Sequence, residues 1–147
     1  MTDDWALQGT PVRAVDAAAY TIPADVPSAD GTLVWDETTM VVVTAEAAGQ
    51  KGLGWTYSAG AAARLVQTEL AGVVVGRDVA NIPAVNEALY RAVRNFGRSG
   101  IAATADRADA LRWHTVTSGG VMTPDSGRPG LGLEFRTADA AKFRVPG

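Results

Sequence analysis

Thr38-Thr39-Met40-Val41-Val42-Val43-Thr44, then Gly49-Gln50-Lys51-Gly52, then Leu53-Gly54-Trp55-Thr56-Tyr57 is the stretch that decides the fold. Its first part is dense in β-branched residues, which suit a pleated surface, and its last part is short and aromatic. The glycine-bounded middle makes this a hairpin signal, with the turn expected over residues 49–52. Upstream, residues 12–22 contain few breakers and predict a first strand that Pro23 ends. Short connections join antiparallel neighbours, so the three runs form one antiparallel sheet. Between the first two strands, residues 23–36 hold two prolines, Ser28 and the turn pair Asp30-Gly31, which predicts a loop. That loop carries Val26, Leu33, Val34 and Trp35.

Downstream of the hairpin the period changes. Ala62, Leu65, Val66, Leu70 and Val73 recur at three- and four-residue intervals, predicting a helix over residues 59–75 with Ser58 as its N-cap and Gly76 closing it. Pro83 sits where a second helix would start, and Val85, Ala88, Leu89, Ala92 and Val93 follow at helical spacing until Asn95 and Gly97. Residues 101–111 are alanine-rich and expected to be helical. Residues 114–130, packed with Thr, Ser, Gly and Pro, read as irregular. A short strand at 131–135 and a turn of helix at 138–143 close the chain. Three strands, two helices, a long loop and a last strand make an α+β order.

The 147 residues suit one domain, and with 47% of them apolar a conventional core can form. A net charge of -3 and no basic cluster interleaved with aromatics leave nucleic acid without an expected surface. There is no cysteine, which removes disulfides and thiolate chemistry. The opening Met1-Thr2-Asp3-Asp4 lacks the pattern of a secretory leader, so the cytoplasm is the expected compartment. Apolar runs such as residues 40–43 and 73–75 are far too short to cross a membrane.

Catalytic equipment is sparse. The single histidine, His114, lies near Ser118 and Asp125, but crowding of these types in sequence does not define a triad, which depends on geometry. The carboxylates come singly or as neighbours, such as Asp36 and Glu37 or Asp106 and Asp109, and match no metal-ligand spacing. Gly49, Gly52 and Gly54 lack the spacing and the Lys-Ser/Thr pair of a phosphate loop, and a hairpin turn explains them. More informative are the aromatics. Trp35 ends a proline-bounded loop, while Trp55 and Tyr57 stand two apart in a strand and share a face, with Gly52 and Gly54 grouped beside them. Aromatics so placed belong to a core, to an interface, or to the lining of an apolar pocket.

Residues 12–23, Ser28-Ala29-Asp30-Gly31-Thr32 before Trp35, residues 38–44, residues 52–57 and Arg94-Asn95-Phe96-Gly97-Arg98-Ser99-Gly100-Ile101-Ala102 together resemble the N-terminal domain of the mandelate racemase/muconate lactonizing enzyme group of the enolase superfamily. Residues 123–134 and 139–144 resemble the tail that, in the same enzymes, returns from the barrel to pack on the cap. The resemblance implies an enolase-type capping fold: an antiparallel three-stranded meander, a helical bundle, and a C-terminal tail packed back on them. It implies one domain over residues 1–147, with a cap region at 1–105, a junction at 106–120 and a returning tail at 121–147. A (β/α)-barrel needs on the order of 250 residues, and the sequence between the two matching regions has no room for it.

In the family, a lysine or histidine base removes the proton α to a carboxylate, and Mg2+ held by acidic residues of the barrel stabilises the enediolate. This chain has only Lys51 and Lys142 and no Lys-x-Lys motif, so neither catalytic residues nor a metal or other cofactor are expected in it. Mg2+ would belong to the barrel of the parent enzyme. The resemblance carries over only what the cap itself does. Two of its loops close on the substrate and help select it, with Ile22, Pro23, Val26, Ser28, Trp35, Gly54, Trp55 and Tyr57 as the candidate residues. A non-catalytic cap is the first expectation. It is expected to self-associate through the face a barrel would cover, or to meet a barrel in trans. The alternatives are a part or subunit of a Mg-dependent acid-sugar dehydratase, racemase or cycloisomerase, and a small-molecule binding module.

Overall fold

The computed structural model describes residues 9–96, 116–118, 121–123 and 135–146. Strand β1 (Val12–Ala29) pairs antiparallel with β2 (Val34–Ala47), and β2 with β3 (Gln50–Tyr57), in the order β1-β2-β3. The expected meander is therefore present, but two of its details differ. Ala47 pairs with Gln50, so the second turn is Ala48-Gly49 alone, at φ of 51° and 72°. Positive φ at both central residues is the geometry whose twist matches flanking strands. Gly52 lies inside the ladder, opposite Ala45.

Pro23 does not end β1. It pairs with Glu37, after which the register jumps to Ser28 opposite Trp35, so residues 24–27 bulge against Asp36. A proline removes one ladder donor, and an outer strand at its last pair before a bulge tolerates that loss. Most of the expected loop over residues 23–36 is thus a two-stranded arm. Its real turn is four residues long, where Asp30 N–H donates to the Leu33 carbonyl at 3.0 Å.

Helix α1 covers Ala61–Leu65 and Ala71–Val74, with a π-helical turn, Val66–Leu70, between them. Gly60, not Ser58, stands at its N-cap and offers no side-chain cap. Ser58 is still engaged by the sheet, its N–H donating to the Thr39 carbonyl at 3.2 Å. Ala62, Ala63, Val66 and Leu70 are buried. In an α-helix each four-residue step drifts by about 40°, and the wider π turn sets that drift back, keeping Leu70 in line with Ala62. Helix α2 (Ile82–Ala92) starts as the sequence predicts: Asn81 Oδ1 accepts the Ala84 N–H at 3.2 Å, and Pro83 occupies the first turn. A 3-10 turn, Arg94–Phe96, follows.

One face of the sheet presents Ala17, Ala19, Val41 and Val43 to Ala62, Ala63, Val66, Leu70 and Val93, which together form the core. The Gln67 side chain adds a polar link by donating to the Ala17 carbonyl. The tail returns as expected. A short helix α3 (Thr137–Ala140) and a 3-10 turn, Ala141–Phe143, lead to Val145, whose N–H donates to the Ala19 carbonyl at 2.9 Å. The Phe135 ring lies 5.1 Å from that of Tyr20. Phe135 itself is in no strand, and the rest of the strand expected at 131–135 lies outside the described residues, as do the helix expected at 101–111 and Trp113 and His114. The stretch read as irregular contains a small hairpin, β4 (Val116–Ser118) with β5 (Val121–Thr123). No described helix is long and apolar enough to cross a membrane.

Two stability changes follow from this packing. Ala62 is fully buried between helix and sheet, so Ala62→Leu is expected to lose about 1–3 kcal/mol by overpacking, read from urea unfolding midpoints. Ala48 holds a left-handed conformation that disfavours a Cβ, and Ala48→Asn should gain about 0.5–1 kcal/mol in the same assay.

Candidate functional site

Strand parity divides the candidate residues. Because Ala17, Ala19, Val41 and Val43 face the helices, the opposite face carries Tyr20, Ile22, Thr38, Met40, Val42, Trp55 and Tyr57, as the pairs Ile22 with Thr38, Tyr20 with Met40, Met40 with Tyr57 and Val42 with Trp55 require. Gly54 does not join Trp55 and Tyr57: it is buried opposite Val43, on the helix side. Gly52 has the same parity as Gly54, so the expected grouping of these glycines with the aromatics is overturned by the two-residue repeat of the strand.

At the arm end of this face an open cavity of roughly 470 Å3 is lined by Ile22, Pro23, Ala24, Thr38, Met40 and Tyr57. That is within the size range of small-ligand pockets. Ile22, Pro23 and Tyr57 were legible in the sequence, whereas Ala24, Thr38 and Met40 were not singled out. The Thr38-Thr39-Met40 alternation holds the missing signal once the β1–β2 register is known. Tyr57 is 70% exposed, and its ring forms one wall rather than part of the core. Trp55 stands two residues deeper on the same face and is half-buried. The lining is apolar apart from the hydroxyls of Thr38 and Tyr57, so it can hold and orient an apolar group but supplies no charged acid or base.

Val26 sits in the bulge and Ser28 and Trp35 just beyond it, all on the arm and outside the cavity lining. Val26 is 72% exposed, and Leu33, Val34 and Trp35 are exposed with it. The tip is nevertheless ordered by its own chemistry. Asp30 Oδ1 accepts from Thr32 N–H at 2.8 Å, from Thr32 Oγ1 at 2.7 Å and from Leu33 N–H at 2.9 Å. These bonds favour the ionised carboxylate and hold Asp30 below the ordinary value of 3.8, the Thr32 hydroxyl contributing most. At the other end of the sheet Asp78 is lowered in the same way, chiefly by the Gly9 N–H and then by Ala80 N–H. Among the described residues no group of three or more His, Cys, Asp or Glu converges on a metal position. These residues do not fit the Mg2+ that the resemblance implies for the parent enzyme.

An antiparallel meander backed by two helices, with a returning tail on its outer strand and an arm projecting past a cavity, is a capping-type α+β domain. Solved structures agree. The chain is 45% identical to a mandelate racemase/muconate lactonizing enzyme-like protein from Rubrobacter xylanophilus, with a TM-score of 0.65 over 68% of this chain and 28% of that one. It is 28% identical to a racemase from Streptomyces coelicolor A3(2) with bound magnesium, at a TM-score of 0.64 over 67% of this chain and 29% of that one. For an L-talarate dehydratase from Polaromonas sp. JS666, at 24% identity and a TM-score of 0.61 over 70% of this chain and 30% of that one, the likeness is one of fold. No protein-family model and no curated protein matches the chain. This chain has the capping region of the mandelate racemase/muconate lactonizing enzyme group, and it spans less than a third of the length of the structures it matches.

The Asp30 turn gives the arm a pH signature. Its folded value lies below 3.8, so the order it supplies is complete above 3.8 and is lost as the pH falls through the lower, folded value. Acid titration should move the Thr32 and Leu33 amide shifts in that window. Asp30→Ala should abolish the step and raise amide exchange at the tip, with the global unfolding midpoint unchanged. A shifted midpoint would mean that the arm belongs to the cooperative core.

Proposed function

We propose that this chain is a substrate-capping domain that does no chemistry alone, with the arm and the Ile22–Tyr57 cavity as the surface that meets substrate. The observation that carries the reading is the cavity itself: it joins residues from β1, β2 and β3 at the end of the sheet from which the arm projects. A surface of this kind excludes water and orients the distal part of a substrate, while charge stabilisation comes from elsewhere. Ile22, Pro23 and Tyr57 form the wall of the site, Trp55 backs Tyr57, and Val26, Ser28 and Trp35 shape the arm. Gly54, paired with Val43 on the helix side, takes no part in that surface.

On this reading residues 1–147 act as one capping-type unit, with residues 121–147 as its returning tail. The exposed Val26, Leu33, Val34 and Trp35 support a surface that is covered in the working assembly. Self-association of the chain in the cytoplasm is the form we propose for that cover. A barrel supplied by another polypeptide or by a longer form of this one is a second reading, favoured by the 28–29% share of the solved relatives that the chain spans. The whole would then be a Mg-dependent lyase or isomerase acting on a carboxylate.

The test is proton NMR of the purified chain in D2O with Mg2+ and a pool of α-hydroxy acids, following exchange at the α-carbon. No exchange above buffer is the expected result. Exchange that depends on the chain would overturn the non-catalytic reading and locate a base and a metal site within it.

A further inference from the structure

The returning tail brings a guanidinium to the cavity face. Arg144 is bridged antiparallel to Tyr20, and residues paired in this way point to the same side of a sheet. Val145 fixes the sense independently. It packs against the core on the helix side, where a methyl group at Gly60 would lie 3.5 Å from Val145 and 3.6 Å from Ala19. Alternation along the tail therefore turns Arg144 the other way, to the face of Tyr20, Ile22, Met40 and Tyr57. Arg144 is exposed, and no ion pair among the described residues engages it: those pairs are Glu46 with Lys51, Glu87 with Arg91 and Asp139 with Arg136. Nearby Lys142 is committed differently, its ammonium standing 4.7 Å above the Phe143 ring.

Arg144 is not part of the cavity lining, but it is within reach of it. Ile22 lies about 7 Å along β1 from the bridged Tyr20, and neighbouring strands are about 5 Å apart. An extended arginine side chain spans most of that diagonal. With the Tyr20 ring already covered by Phe135, the open apolar surface next to Arg144 is that of Ile22. The acids of this region lie elsewhere. By strand parity Glu37 faces the helices, Asp16 and Glu46 lie toward the hairpin end, and Asp36 shares the cavity face but stands on the arm side, opposite the bulge. The cavity thus has a cation at its tail side and an anion at its arm side.

We propose that the cavity and Arg144 form one binding site for a carboxylate carried on an apolar stem. The stem lies over Ile22, Met40 and Tyr57, and the carboxylate meets the Arg144 guanidinium at the outer edge of β1. The inference rests on the capping role proposed above and names the substrate class of that surface: a substrate whose distal end is a carboxylate. The two parts of the site do different work. Its apolar lining rewards burial of the stem without fixing a direction. The planar guanidinium fork receives a carboxylate through two parallel N–H bonds, which does fix one. Asp36 disfavours the reverse orientation. Because Arg144 is exposed, the pair changes affinity by about fivefold at most, so it sets selectivity more than strength.

The experiment uses the whole chain with hexanoate and hexanamide, which match in length and differ in charge. NMR titration reads the two ends separately, the stem at the Ile22 and Met40 methyl resonances and the carboxylate at the Arg144 Nε–H. Hexanoate should shift all three saturably at low salt and bind about three- to fivefold more tightly than hexanamide, which should shift the methyls alone. Arg144→Gln keeps the backbone bridge to Tyr20 and should bring the two affinities together by weakening hexanoate only, with the unfolding midpoint near that of the parent. Arg144→Lys, which keeps the charge and loses the fork, should retain part of the preference, and Lys142→Gln should retain all of it. Equal affinities in the parent, a preference that survives Arg144→Gln, or no methyl shift with either ligand up to its solubility would each overturn the proposal. Exchange at the α-carbon would reject the non-catalytic reading and leave this site standing, whereas equal affinities would remove the site and leave that reading, so the two failures are distinguishable.

Discussion

Everything in this domain depends on how closely α1 lies on the sheet. Ala17 and Ala19 on β1 meet Ala62 and Ala63 on α1, while Val41, Val43, Val66, Leu70 and Val93 put larger groups into the same layer. Small side chains on both surfaces let the helix approach until backbone-near atoms touch, and a tight interior gains its stability from many weak contacts. One polar bond is made possible by that approach: Gln67, on the π-helical turn, reaches the Ala17 carbonyl. The π turn and the alanine layer are thus one device, because the wider turn keeps Leu70 on the buried line after two further steps along the helix.

A thin layer on one face leaves the bulky side chains to the other. Tyr20, Met40, Trp55 and Tyr57 all fall on the face away from α1 by strand parity alone. Toward the middle of the sheet that face is covered, since Tyr20 and Val42 are buried and Phe135 of the returning tail packs on Tyr20. Toward the arm the cover ends, and Ile22 and Tyr57 are exposed. The cavity is where a hydrophobic face outruns its covering, which is why it is apolar and why its lining comes from three strands at once.

This explains what could be read from the sequence and what could not. The meander, α2 with its Asn81 cap and Pro83, and the tail's contact with the cap follow from local periods, caps and the family resemblance. Ile22, Pro23 and Tyr57, candidates by resemblance and, for Tyr57, by aromatic placement, do come together in the cavity lining. Pro23 misled as a terminator, because the rule against proline in strands assumes a ladder on both sides, and β1 is an outer strand that bulges one residue later. Ser58 misled as a cap because its bond to Thr39, a long-range one that no local pattern records, keeps it in the sheet, and the helix starts only at Ala61. Thr38 and Met40 escaped notice for a related reason: they become neighbours of Ile22 and Tyr57 only through the register of two strand pairs.

The arm shows how a segment without a core can still be shaped. From the bulge outward the strands bury almost nothing, and Val26, Leu33 and Val34 face solvent. Hydrophobic burial therefore cannot be what orders the tip. Its geometry comes from a single carboxylate that satisfies two backbone N–H groups and one hydroxyl, and from ladder pairs at Ser28 and Ala29. Such order is local: the bulge over residues 24–27 separates it from the alanine-packed layer, so the tip can answer to what lies beyond it without loosening the core. A rigid body carrying a locally ordered arm beside an apolar cavity is the mechanical division that the proposed capping role would use, because positioning a substrate needs a fixed wall and exclusion of water needs a part that meets it from outside.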